Sequence, residues 1–134
     1  MTPTYLLDTN ICIYIAKQKP LHVLKRFKEL SVGDVAMSVI SYGELIYGAQ
    51  KSQHTEKSMK NLNQLIQLIP PLPLPLECGE QYGRIRKTLE KRGKTIGNND
   101  LWIAAHALAL NTTLVSNNLK EFERVPNLNL ENWV

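Results

Sequence analysis

The chain has little of what would place it in several large classes. It holds two cysteines in 134 residues, Cys12 and Cys78. They lie in unrelated segments, which argues against a disulfide framework and against paired-thiol zinc or redox motifs. Two reduced, buried thiols in a reducing compartment are expected. No stretch approaches the roughly 20 apolar residues of a membrane span. Nor does the N-terminus carry a charged lead, an apolar run and a small-residue cleavage site. The expectation is a cytoplasmic chain with no membrane partner. Neither charge sign dominates, because 16 Lys and Arg stand against 12 Asp and Glu, a net charge of +4. That excess permits a polyanionic partner without demanding one. His22, His54 and His106 have no ligand spacing and read as structural or solvent-exposed. With no repeats, low-complexity tract or linker, 1–134 reads as a single domain.

What is present is an alternation of short apolar strands and amphipathic helices. Thr4-Tyr5-Leu6-Leu7 reads as a buried strand that stops at Asp8-Thr9-Asn10, where Thr9 or Asn10 is expected to cap a helix through Ile15. Pro20 opens a second helix with Leu21, Leu24, Phe27 and Leu30 on one face. Residues 35–39 form a second strand. Ser38 or Ser41 then starts a helix, and Ser41-Tyr42-Gly43-Glu44 matches a Ser-x-x-Glu capping box. A longer helix follows over 55–68. The Pro-Leu alternation of 70–76 fits an edge strand, since proline has no N–H to donate. Helices are expected over 77–92 and 100–110, the latter apolar almost all round and therefore central. Residues 112–115 give another strand, 120–125 a short helix and 128–133 a last strand. This order predicts an α/β domain with a mostly parallel sheet.

Function in such sheets gathers at the carboxyl ends of the strands. Asp8 follows the first strand, Glu44 lies one turn into the helix after the second, Asp100 opens the central helix, and Glu121 lies just beyond the strand ending near Val115. Singly, each has an ordinary explanation in capping, helix polarity or surface pairing. Together they repel and raise one another's pKa, which a cation relieves. Hard oxygen donors without His or Cys select Mg2+ or Mn2+. A carboxylate-held divalent ion beside a basic surface points to phosphodiester hydrolysis. Arg84, Arg86, Lys87, Arg92 and Lys94 are candidate phosphate contacts, with a solvated helix face as the alternative. Tyr14, Tyr42, Tyr47 and Trp102 are candidate base-stacking groups, core packing being the alternative.

Three segments carry a family likeness. Leu6-Leu7-Asp8-Thr9-Asn10-Ile11, then Ser41-Tyr42-Gly43-Glu44-Leu45-Ile46-Tyr47-Gly48-Ala49, then Ile96-Gly97-Asn98-Asn99-Asp100-Leu101-Trp102-Ile103-Ala104-Ala105-His106-Ala107 resemble the PIN-domain ribonucleases. More closely, they resemble the VapC toxins of bacterial VapBC toxin–antitoxin modules, over essentially the whole chain to Asn118-Leu119-Lys120-Glu121-Phe122. The resemblance implies a PIN-like, five-stranded parallel sheet flanked by helices. It implies a homodimer held in check by a VapB-like antitoxin, in higher-order complexes on operator DNA. It also implies Mg2+- or Mn2+-supported RNA cleavage, with initiator tRNA cut in its anticodon region as the preferred substrate. Asp8 and Asp100 fall on the main metal-ligand positions and Glu44 on the third acidic position. The chain departs at the fourth, where many PIN domains place Asp and this one has Asn117 and Asn118. Either Glu121 reaches in from the next turn or an Asn serves instead.

Two other readings stay open. A haloacid-dehalogenase-like phosphatase also places Asp after its first strand, but needs a second Asp where this chain has Asn10. A catalytically inactive RNA- or antitoxin-binding PIN module would keep the fold and lose the chemistry.

Overall fold

Tyr5-Leu6-Leu7 has no polar residue alternating with the apolar ones, as suits a strand covered on both faces. It forms β1 (Tyr5–Leu7), the centre of the sheet. The structure is a computed structural model and describes residues 2–134. β1 pairs in parallel with β2 (Val35–Ser38) on one side and β4 (Thr113–Val115) on the other, Leu6 standing opposite both Ala36 and Leu114. β3 (Pro71–Leu72) and β5 (Leu130–Glu131) form the two edges, giving the order β3-β2-β1-β4-β5 with every pairing parallel. The proline-rich segment is thus an edge strand, as expected.

Parallel neighbours need crossovers, and helices supply them. These are α1 (Thr9–Lys17), α2 (Leu21–Lys28), α3 (Val39–Gln50), α4 (Thr55–Leu68), α5 (Leu76–Lys91), α6 (Asn98–Leu110) and α7 (Leu119–Phe122). Successive strand residues face opposite sides, so β1 divides the core in two. Leu6 joins Ile85 and Leu89 of α5 with Leu101, Ile103 and Ala104 of α6. Leu7 joins Ile11 and Ile15 of α1, Val23 of α2 and Leu62 and Leu65 of α4. α6 is the most enclosed helix: Ala104, Ala105 and Ala107 are fully buried, and their small side chains allow close approach.

Several local expectations are corrected. The cap of α1 is Asp8, whose Oδ1 accepts from the Ile11 amide at 3.0 Å, and not Thr9 or Asn10. α3 begins at Val39 with Ser38, one of the two expected starts, as its cap; Ser41 is buried inside the helix, so the Ser41-Tyr42-Gly43-Glu44 capping box is what is overturned. On α2 the buried residue is Val23, while Leu21 is 78% exposed. Both cysteines are free and buried, and burial pushes both thiols up, Cys78 to about 11. No helix among the described residues is long and apolar enough to cross a membrane.

Candidate active site

β1, β2 and β4 lie side by side and parallel, so their carboxyl ends open on one edge of the sheet. Asp8 comes first. Its amide continues the strand ladder by donating to the Val115 carbonyl at 3.0 Å, which holds the side chain at the sheet edge with 6% exposure. Both carboxylate oxygens are held: Oδ1 by the Ile11 amide, Oδ2 by the Ser116 hydroxyl at 2.5 Å. Leu7 pairs with Val115, so the next residue along each strand, Asp8 and Ser116, also lie side by side. Ser116 is buried and its Oγ accepts from the Asn118 amide at 2.9 Å. Burial raises the Asp8 pKa; the bonds from Ser116 and Ile11 oppose that rise, and the Glu44 charge adds to it.

Glu44 reaches this edge from α3. The Thr9 hydroxyl donates to Glu44 Oε1 at 2.7 Å and lies 3.0 Å from the Ser41 hydroxyl, tying the start of α1 to α3 beside Asp8. Glu44 therefore serves the sheet edge and not its own helix terminus. Asp100 stands in the first turn of α6, beside Gly97, where an added Cβ would lie 3.5 Å from Asp100 Oδ2. Its pKa is raised to about 7. Burial is the largest cause, followed by a hydrogen bond and charge repulsion from Glu121, then the charges of Glu44 and Asp8. Asp100 thus registers all three other carboxylates.

Glu121, on α7, accepts from Asn118 Nδ2 at 2.7 Å, while Asn117 Nδ2 turns away to the Tyr14 hydroxyl at 3.0 Å. Of the three alternatives for the fourth position, the side chain beside Asp100 is Glu121. Among the described residues, no three Asp, Glu, His or Cys side chains are gathered closely enough to hold a metal ion as they stand. The four acids form a loose electrostatic cluster, not a finished cage. All the donors are oxygens, and the hydroxyl and amide groups of Ser116, Thr9 and Asn118 orient them, a donor chemistry that fits a hard divalent ion.

The remaining candidates separate. Arg86 is bound to Glu90 at 3.1 Å and to the Tyr82 hydroxyl at 2.7 Å, which removes it from the free phosphate contacts. Trp102 stacks on Tyr82 at 3.8 Å, so its face is already occupied. Tyr14 is engaged by Asn117, Tyr42 packs on the core, and Tyr47 is 65% exposed under the Lys51 ammonium. His106 is fully buried, neither ring nitrogen has a hydrogen-bond partner among the described residues, and burial lowers it to about 4. Of the groups that hold the acids, Ser116 is not singled out by the sequence; Thr9, expected there as a cap of α1, holds Glu44 instead, and Asn118, an alternative for the fourth position, holds Glu121. The signal for Ser116 was available only through strand register, since it follows β4 as Asp8 follows β1.

Residues 5–128 match the family model of the PIN domain. The chain belongs to the PIN-domain family. Within that family it groups with the VapC proteins. It is 44% identical over 130 residues to Ribonuclease VapC2 of Haemophilus influenzae, covering 97% of this chain and 98% of that one. It is 39% identical over 129 residues to the tRNA(fMet)-specific endonuclease VapC of Shigella flexneri, covering 96% and 97%. Its fold superposes with a TM-score of 0.90 and 42% identity on VapBC2 from Rickettsia felis, solved bound to a DNA fragment from their promoter, with 97% of this chain and 98% of that chain covered. The PIN fold therefore extends along nearly the whole sequence.

Proposed function

We propose that this chain is the toxin of a toxin–antitoxin pair, an endoribonuclease that hydrolyses RNA phosphodiester bonds with Mg2+ or Mn2+. The observation that carries the proposal is Asp100, whose pKa is raised to about 7 by burial first and then by Glu121, Glu44 and Asp8, which gather with it at the sheet edge. A fold keeps such repulsion where a cation relieves it. Asp8 and Asp100 are the main ligands, with Glu44 and Glu121 completing the acidic site. Bound there, the metal supplies a Lewis acid that lowers the pKa of an attacking water and offsets charge on the phosphate oxygens. The chain's own groups do the orienting. Ser116 and the Ile11 amide fix the Asp8 carboxylate, Thr9 holds Glu44, and Asn118 holds Glu121 against Asp100.

The substrate we propose is initiator tRNA, cut in its anticodon region. The name of the Shigella flexneri relative, a tRNA(fMet)-specific endonuclease, supports this. The Rickettsia felis complex on promoter DNA supports a VapB-like antitoxin as partner and operator DNA as the complex's target. The chain acts as a single PIN domain over 1–134, as a homodimer and in the cytoplasm.

Antitoxin-free protein incubated with tRNA, with Mg2+ or Mn2+ and with chelator, tests the proposal when the new RNA ends are sequenced. One dominant cut, lost with chelator, is expected. Asp8→Asn or Asp100→Asn should lower the rate by more than about 100-fold while the fold survives, exceeding the 10–100-fold typical of changes behind a ligand. Undiminished cleavage by folded Asp100→Asn protein contradicts the proposal. Tight RNA binding with no metal-dependent cut identifies the inactive binding module instead.

A further inference from the structure

A second feature lies beside the acidic edge. Gly93, at φ +66°, turns the chain back after α5, where the Lys94 amide donates to the Leu89 carbonyl at 2.9 Å. The returning loop runs alongside α7, and Arg124 Nη1 clamps the two by donating to the Thr95 carbonyl at 2.9 Å. Between them opens a groove of about 560 Å³ whose charged lining is Arg92, Lys94, Lys120, Arg124 and Glu123. Four cations thus face one carboxylate. Among the described residues none of the four makes a salt bridge, in contrast to Arg26 and Arg86, which do. Like charges crowd a concave surface here without internal compensation, as suits an anion that comes from outside.

The walls of this groove are the segments that present the acids. Lys120 directly precedes Glu121, and the loop bearing Lys94 and Thr95 leads through Gly97 into α6 and Asp100. Both walls thus run directly into the acidic edge, so a polyanion whose reacting phosphate sits among the carboxylates can lay its flanking phosphates along them. An acidic peptide would satisfy the charges equally, but nothing would require it to continue onto a cluster of carboxylates. Arginine and lysine together also suit phosphate, arginine by paired donors and lysine as a point charge.

We infer that the groove between the 93–97 loop and α7 binds the RNA sugar-phosphate backbone next to the cleavage site, through Lys94, Lys120, Arg92 and the free donors of Arg124. The inference rests on the ribonuclease reading above. It moves the phosphate contacts from one face of α5 to a groove that Lys120 and Arg124 complete.

The test compares Lys94→Ala/Lys120→Ala with Lys57→Ala/Lys60→Ala, an equal charge change on the exposed face of α4. Binding of tRNA is measured on an Asp100→Asn background as a function of salt, and cleavage on the wild-type background. The groove pair should weaken binding at least tenfold near 0.1 M salt and flatten the log–log salt slope by about 1.4, roughly 0.7 per lost contact to a single strand. It should raise KM with kcat little changed, and Lys94→Arg/Lys120→Arg should restore both. The α4 pair should do neither. Equal losses in both pairs, or an unchanged salt slope in the groove pair, overturn the inference while wild-type cleavage leaves the ribonuclease reading intact. Loss of antitoxin affinity with RNA binding unchanged overturns it in favour of a protein-docking groove. Absence of cleavage and of RNA binding in the wild type overturns both.

Discussion

Asp100 and His106 lie six residues apart on one helix and pull stability in opposite directions with pH. Asp100 titrates near 7 in the fold against an ordinary 3.8, so between those values the native state holds a proton that the unfolded chain has lost. Its contribution is full below about 4 and is lost as pH rises through 7. His106 titrates near 4 against an ordinary 6.5, so the native state lacks a proton that the unfolded chain binds. Its contribution is full above 6.5 and is lost as pH falls towards 4. The two effects oppose each other across that window. Relative to wild type between pH 4 and 6.5, urea titrations should therefore show stability in Asp100→Asn tilting upward with pH and in His106→Leu tilting downward, the raised Asp8 adding a fall common to all three. Parallel profiles in all three proteins would remove both explanations. Behind the acids, Ser116→Ala deprives buried Asp8 of its hydroxyl partner. Cleavage should fall by about 10- to 100-fold, and stability by about 1–3 kcal/mol. A change in neither quantity would show that this bond positions nothing.

At the scale of elements, α6 explains why the acids meet. It presents Asp100 at its first turn while its body is locked into the core, with Ile103 1% exposed and Ala104 and Ala105 fully buried. Ile103→Ala should cost about 2–5 kcal/mol in urea unfolding. Leu21→Ala, on the outward face of α2, should stay within about 0.5 kcal/mol. The near-continuous apolar run of 101–110 made the central position of α6 legible from sequence, and Pro71 made β3 an edge strand. Helix starts were less legible, because Asp, Ser, Thr and Asn are all competent caps and only the backbone decides which one acts. Asp8 capped α1 in place of its two neighbours, and Ser38 capped α3 in place of Ser41. That shift removes the cap-partner alternative for Glu44 and leaves the other expectation, a member of the acidic edge.

For the whole molecule, sequence order and strand order differ, and the site depends on the difference. β1 sits between β2 and β4, so segments around residues 8, 44, 100 and 121 converge although more than 100 residues separate the first from the last. The four acids could be listed from sequence because each follows a strand or opens a helix. Their partners could not, since Ser116 is set by strand register and Asn118 by a turn. The same holds for Lys120 and Arg124, which join Arg92 and Lys94 only through the return of the chain at Gly93. Charge distribution across the molecule then sets an acidic cluster at the sheet edge beside a basic groove, the pair that the proposed ribonuclease reading requires.

Carboxyl-carbon NMR of Asp100, titrated with pH in the presence and absence of Mg2+, bears most directly on whether the acids share one cation. A midpoint near 7 without the ion, shifting well into the acid range when Mg2+ is added, is the predicted result. A midpoint near 3.8 that ignores Mg2+ would contradict it.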